Sequence, residues 1–331
     1  MKHTTYLGGT EFRSKPENLI KTDVKLFQHE FQKEISKSYV LNCSKVYLSE
    51  KNVINLKNMK MYFKYTYMSN PPLKNIIKVI LNFLKLRKEP INTMDNGVWV
   101  INNKSENYFH WMTETLTRVI SFKTLNIKSK ILIPEKFLEY EFVPKTLDLL
   151  KVDYQTYSKN NLIKVNNLHL TSNTAPAGNY NSKAIYDLHS RLSNGSKSSP
   201  GKKLWVSRKY SGRRVLSNEE EVIPILEKYG IELIYPEKLT YAQQIKLFRE
   251  AEFLAGVAGA ALVNMLYMEM NQTVLELRSE RDELNNCHYS LAVTLKHKYY
   301  YEKCKSDIQE NMTVNINDLE STFKKIFPAS P

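Results

Sequence analysis

From Lys203 onward the pattern of apolar and polar positions switches repeatedly between two periods. Lys203–Arg208 (KLWVSR) is a short apolar run after the Ser/Gly/Pro-rich stretch Ser193–Lys202, which predicts a linker and then a strand. Ser217 with Glu220 forms a capping-box pattern, and Val222, Ile223, Leu226 and Tyr229 follow at helical spacing. Gly230 stands where a helix C-cap belongs. A strand over Ile231–Tyr235 comes next, then a second capping box, Thr240 with Gln243, opening a helix through Ile245 and Phe248 to Ala251. Phe253–Val257 reads as a strand, Gly259–Leu266 as the start of a helix, and Thr273–Leu277 as another strand. Leu284, Cys287, Leu291 and Leu295 mark a further helix before a strand at Tyr299–Tyr301. Such alternation predicts a parallel sheet covered on both faces, a doubly wound α/β domain.

The first half is less regular. Val46–Phe63 suggests short antiparallel strands. Gly97–Ile101 (GVWVI) reads as a strand, Asn107–Leu125 as a helix, Lys130–Ile133 as a strand and Lys136–Leu150 as a helix. A second α/β unit is therefore expected from about Asp95, behind an irregular N-terminal addition. The domain boundary falls in the linker, giving domains 1–195 and 196–331. No internal repeat is visible. Between Pro71 and Pro90, Leu73, Ile76, Ile77, Ile80, Leu81, Phe83 and Leu84 share one face, with Lys74, Lys78, Asn82, Lys85 and Lys88 opposite. An amphipathic helix of this kind more often packs on its own domain, but a basic one also suits an anionic membrane interface.

Composition narrows the class. The 331 residues, 42% of them hydrophobic, suffice for two packed cores and exclude a disordered chain. A net charge of +14 favours nucleic acid, an acidic membrane or phosphorylated small molecules as partners, unless it is only a lysine-rich solvated surface. The three cysteines, Cys43, Cys287 and Cys304, form no C-x-x-C pair, as expected in a reducing compartment. Met1–Gly9 lacks the apolar core of a signal peptide, and no run approaches the ~20 apolar residues of a membrane span, so a cytoplasmic location is expected.

Three groups of residues could carry chemistry. The segment Gly256-Val-Ala-Gly259-Ala260-Ala-Leu-Val-Asn264 joins a strand to a helix, where small residues let backbone N–H groups approach a phosphate. Glu276 ends the next strand, a place from which a carboxylate could hold ribose hydroxyls. Arg208, Arg213 and Arg214 follow the first strand of the domain and would emerge at the same sheet edge, where guanidinium groups suit phosphate recognition. In the first half, His110, Glu114 and Arg118 are spaced four apart on one helix face that begins near Asn107. A histidine oriented by a carboxylate is a credible general base, although an ordinary polar stripe has the same spacing.

Together these pieces resemble glycosyltransferase family 61. The likeness rests on NYFHWMTETLTRV at Asn107–Val119, VSRKYSGRRVLSNEEEV at Val206–Val222, the run Tyr235–Asn264 and VLEL at Val274–Leu277, in order over about Trp99–Arg278. The resemblance implies a GT-B fold, two Rossmann-like doubly wound domains facing a central cleft. It also implies an inverting transferase that uses a nucleotide sugar, often UDP-linked, and needs no metal or other cofactor. The absence of a D-x-D sequence agrees. Arg208 and the loop around Gly259, Ala260 and Asn264 would then bind the diphosphate, with Arg213 and Arg214 nearby, and Glu276 the ribose. His110 and Glu114 would face the reaction centre, flanked by Asn107 and Arg118. Two positions depart from the family pattern: Ala258 stands where a histidine is usual, and Thr117 where a proline commonly precedes Arg118. The expected setting is assembly of a surface polysaccharide such as capsule or lipopolysaccharide. Its acceptor would be a glycan or lipid-linked glycan, with peripheral contact to the cytoplasmic face of the inner membrane.

Three other readings compete. A nicotinamide-dependent oxidoreductase is mimicked by Gly256, Gly259 and Glu276, but Ala258 breaks G-x-G-x-x-G and the loop follows the third strand. A nucleic-acid-binding protein would match the charge, yet no recognition motif or basic cluster is present, and no nucleic-acid partner is expected. The third is a nucleotide-sugar-binding family member altered in catalysis, for which Ala258 speaks.

Overall fold

The computed structural model describes residues 2–67, 69–88, 91–193, 199–282 and 284–328. Residues 194–198 of the predicted linker and Pro90 at the end of the amphipathic segment lie outside the described residues. The chain forms two compact units. The first comprises Met1–Gly9, Ile35–Ala177 and Lys183–Leu192, and the second Thr10–Glu34, Gly178–Ser182 and Ser193–Pro331. Residues 10–34 thus fold with the C-terminal unit, contrary to the expected division. The helix Val24–Phe31 explains this, since it buries Phe27 against Tyr289, Tyr299 and Tyr301, with ring centroids 5.1, 6.2 and 4.9 Å away. Arg13, held within the segment by a buried ion pair to Glu30, reinforces the attachment by donating to Ser290 at 3.0 Å.

The first unit holds one sheet built from β1 (Lys2–Tyr6), β2 (Ser38–Ser49), β3 (Asn52–Asn55), β4 (Lys60–Met61), β5 (Asn92–Trp99), β6 (Ile131–Pro134), β7 (Tyr154–Tyr157) and β8 (Ile163–Thr171). The order is β4-β3-β2-β8-β5-β6-β7, with β1 also paired to β2. Strands β8, β5, β6 and β7 are mutually parallel, while β1 to β4 pair antiparallel. The Rossmann-like expectation therefore holds for only part of this unit. Only Glu50 and Lys51 separate β2 from β3, and a two-residue hairpin can join only antiparallel strands. The predicted helix 107–125 is present over residues 108–123, but its middle, Trp111–Thr115, is a π-helical turn. The predicted helix 136–150 is split into a 3₁₀ turn at Glu135–Glu139 and an α-helix at Phe142–Leu149.

The second unit is built on β9 (Lys202–Val206), β10 (Glu232–Ile234), β11 (Ala251–Val257), β12 (Thr273–Ser279), β13 (Lys298–Ser306) and β14 (Met312–Thr313). Its order is β10-β9-β11-β12-β13-β14, parallel except for β14. This is the doubly wound sheet read from the sequence. The helices Glu219–Lys228 and Ile316–Ile326 cover part of it through Val222, Leu226, Leu319 and Phe323, which pack with Trp205, Phe253 and Leu275. Thr240 and Gln243 form the predicted capping box, and Gly230 takes the left-handed conformation, φ +64°, that ends a helix. The Ser217–Glu220 box does not form. That helix starts at Glu219 behind Asn218 without a side-chain cap, and the Ser207 hydroxyl donates to the Glu219 carboxylate instead. Leu284 is exposed, and the helix it was expected to open begins at Cys287.

Among the parallel strands of each unit the direction of addition reverses once. β9 continues to β10 on one side, and β11 lies on its other side. In the first unit β5, β6 and β7 add in one direction, and β8 returns to the far side of β5. Loops leaving the carboxyl ends of strands diverge at such reversals, which is where open α/β sheets bind ligands.

Candidate active site

In the second unit, the reversal lies between β9 and β11, whose ends are in register with Val206 opposite Gly256. Arg208 leaves β9 and Gly259 leaves β11 at this edge. The Arg208 guanidinium lies close against Gly259: a Cβ there would stand 2.0 Å from Nη1 and 2.9 Å from Cζ. Gly259 has φ −176°, which any residue adopts, so close approach and not backbone conformation requires the glycine. Arg208 Nε donates to the Arg214 carbonyl at 3.2 Å and Nη2 to the Arg213 carbonyl at 3.0 Å. Arg214 Nη1 donates to the carbonyl of Ala258 at 3.1 Å. Two guanidinium groups are thereby fixed on the 258–259 loop. Burial, then the neighbouring Arg214 and Arg213, pushes Arg208 down to about 10, so it stays charged at neutral pH among like charges. Arg213 is exposed and pairs with Glu310 at 3.1 Å.

The helix after Gly259 is a 3₁₀ segment, Ala260–Leu266, with Ala260 partly exposed at its start. Asn264 lies further along and is fully buried, so its expected contact with a diphosphate is not supported by its position. Glu276 requires a similar correction. It is 2% exposed, its Oε1 meets His288 Nδ1 at 2.8 Å, and its Oε2 accepts from the Tyr299 hydroxyl at 2.5 Å. A ribose hydroxyl finds no open carboxylate oxygen there. Burial pushes Glu276 up, but His288, Arg278 and the Tyr299 hydroxyl together outweigh it and hold the carboxyl below the usual range. Burial would lower His288, yet Cys287 and Glu276 raise it well above an ordinary imidazole. The pair is a buried structural ion pair.

In the first unit, the reversal lies between β5 and β8, and the polar group found there was only partly foreseen. His110 Nδ1 lies 2.8 Å from Glu114 Oε1. Glu114 is buried, and the loops after both strands hold it: Asn102 Nδ2 donates to Oε2 at 3.2 Å and the Ala177 N–H to Oε1 at 3.2 Å. With its oxygens acting as acceptors, the Glu114 carboxylate fixes Nδ1–H as the donor and leaves Nε2 as the basic nitrogen. The histidine side chain retains 24% of its exposure, enough to reach a solute. Asn107 caps the helix, its Oδ1 accepting from the Phe109 N–H at 3.0 Å and from the His110 N–H at 3.5 Å.

Arg118 is not a cleft residue. It is fully buried, with Nε on the Thr171 hydroxyl and Nη2 on the carbonyls of Tyr65 and Thr171. Burial lowers it to about 9, against the opposing influence of Glu114 and Tyr65. The hydroxyl of Thr117, just after the π turn, donates to the carbonyls of Thr113 and Glu114 within it, both at 2.9 Å. Asn102 and Ala177 escaped the sequence reading, although Asn102 was visible as a polar residue just beyond a strand. Nothing in sequence marks Ala177, whose contribution is a backbone N–H. Among the described residues no group of three His, Cys, Asp or Glu side chains could hold a metal ion.

A relative, the EGF domain-specific O-linked N-acetylglucosamine transferase of Drosophila melanogaster, is 32% identical over 91 residues, 27% of this chain. The match spans only 17% of that protein's length. The family model described as Glycosyltransferase 61 matches residues 108–275, which take in the His110–Glu114 pair, Arg208 and the Gly259 loop. Since that match covers half of the chain, the protein belongs to the glycosyltransferase 61 family.

Proposed function

We propose that this protein transfers a sugar from a nucleotide sugar, UDP-linked, to a hydroxyl of a glycan acceptor, with inversion and without a metal. The observation that carries the reading is the pair Arg208 and Arg214, fixed on the 258–259 loop at the strand reversal of a doubly wound sheet. A diphosphate is the ligand such charges suit. A GT-B fold, of which the two α/β units would be the halves, is part of this reading.

In this mechanism the acceptor O–H gives its proton to Nε2 of His110, whose orientation Glu114 fixes. The oxygen then forms a bond to the anomeric carbon while the bond from that carbon to the phosphate oxygen breaks. The electron pair leaves with the nucleoside diphosphate, and Arg208 and Arg214 take up its charge. Arg214, on the carbonyl of Ala258, supplies a cation where the family carries a histidine. The relative's name makes an N-acetylglucosamine donor the first to try. Polysaccharide assembly in the cytoplasm on a glycan or lipid-linked glycan remains the proposed setting.

Calorimetry with UDP, GDP and CDP, with and without EDTA, tests the reading. EDTA-insensitive binding of one nucleoside diphosphate, lost in Arg208→Ala, is expected. Equal affinity of the wild type and Arg208→Ala for every nucleotide would falsify it.

A further inference from the structure

The helix Leu73–Leu86 of the first unit presents two apolar surfaces, of which only one is used within the fold. Val79, Phe83 and Leu86 are buried against Ile54 and Leu162. Leu73, Ile77, Ile80, Leu81 and Leu84 are 71, 47, 37, 61 and 51% exposed. At about 100° per residue these five side chains fall within an arc of roughly 100°, next to the packed face rather than opposite it. Lys74, Lys85 and Lys78 follow on the far border of that arc, and Asn82 and Asn75 complete the circle. Arg87 and Lys88 continue the positive charge beyond the last turn, and the helix contains no acidic residue. Exposed leucines and isoleucines of this number are uncommon on a soluble surface unless something covers them.

We propose that this helix lies in the headgroup region of an anionic lipid bilayer, its Leu73–Leu84 stripe inserted and its lysines on the phosphates. The charge pattern selects this occupant. A second protein surface would have to bury lysines along one whole border of the stripe, whereas a bilayer accepts them by letting the ammonium groups reach up to the headgroups. The short helix, about 21 Å, can lie on the membrane but not cross it. This inference does not depend on the transferase reading, and its test measures no activity.

The test is flotation of the full chain with vesicles of phosphatidylcholine alone or mixed equally with phosphatidylglycerol, at low and high salt. Binding to the mixed vesicles, weak to phosphatidylcholine and reduced by salt, is expected. Ile77→Asp with Leu81→Asp should lower the partition coefficient at least tenfold, and Lys74→Gln with Lys78→Gln and Lys85→Gln should do likewise. Both sets alter exposed positions and should leave the circular dichroism and melting temperature of the wild type intact. Absence of vesicle binding, binding indifferent to lipid charge, or binding unchanged in both variant sets would overturn the proposal. So would a wild-type dimer in light scattering that the two aspartates convert to monomer, because the stripe would then be covered by a second copy.

Discussion

Replacing Gly259 by alanine adds one methyl group where the Arg208 guanidinium now lies, 2.0 Å from Nη1 and 2.9 Å from Cζ. Those atoms are the far end of a flexible side chain, and φ at Gly259 is −176°, so the backbone tolerates alanine and the arginine moves. To move, it must give up its bonds to the carbonyls of Arg213 and Arg214. The fold should survive with a stability change within about 1 kcal/mol, because an alanine compatible with the backbone costs little. Binding of the diphosphate should not survive intact. A charge-assisted hydrogen bond contributes about 1.5–3 kcal/mol, so displacement of the guanidinium should weaken the dissociation constant about 10- to 150-fold. The assay is titration calorimetry with UDP on the wild type, Gly259→Ala, Arg208→Ala and the double variant. Because the methyl acts through Arg208, Gly259→Ala should reproduce most of the loss in Arg208→Ala, and the double variant should be no weaker than Arg208→Ala alone. Wild-type affinity in Gly259→Ala, or losses that add in the double variant, would refute the reasoning.

Other substitutions separate chemistry from structure. Glu114→Gln and His110→Ala should each lower kcat by about 10²–10⁴-fold while leaving UDP affinity unchanged, as single-turnover rates and calorimetry would reveal. Arg118→Met should instead lower the melting temperature, because it strips donors from the Tyr65 and Thr171 carbonyls, and unchanged melting would refute the structural role. Glu276→Gln should destabilise the chain by about 3–5 kcal/mol at its worst, with a definite pH profile. Glu276 is lowered, so its contribution is complete above its ordinary value of 4.5 and fades as pH falls through its folded value. His288 is raised, so its contribution is complete below 6.5 and fades as pH rises through its folded value. Urea denaturation should therefore show the largest difference between wild type and Glu276→Gln between pH 4.5 and 6.5. A difference that grows steadily to pH 9 would contradict the ion pair.

What could be read from the sequence depended on how local each determinant is. The doubly wound second unit was legible because each of its elements carries its own period, and Thr240–Gln243 announced its helix by a cap completed within four residues. His110 and Glu114 were legible for the same reason, four residues apart on one helix. The π turn through Trp111–Thr115 was not, and neither were the partners that hold Glu114. Asn102 and the Ala177 N–H arrive from the loops after two strands far apart in the chain. The attachment of residues 10–34 to the second unit likewise rests on scattered contacts, Phe27 among tyrosines, Arg13 on Ser290 and Asp23 on Tyr301, that leave no periodic trace.

Glu276 and Arg208 show how finely such a reading depends on where a strand ends. Both are charged residues near the end of an apolar run in a parallel sheet. The run around Glu276 ends at Leu277, which suggested a carboxylate at the sheet edge. The strand in fact continues, because β13 pairs with it through Arg278 opposite Lys303 and Ser279 opposite Cys304. Glu276 and Arg278 thus point to one face inside the unit. There His288 and Tyr299 hold the first, and Asn286 with the carbonyl of Asp282 holds the second. At β9 pairing stops at Val206, opposite Gly256, and Arg208 stands two residues beyond it. Two residues of strand length decide whether a charge stabilises the interior or remains at the edge, where an anion can reach it.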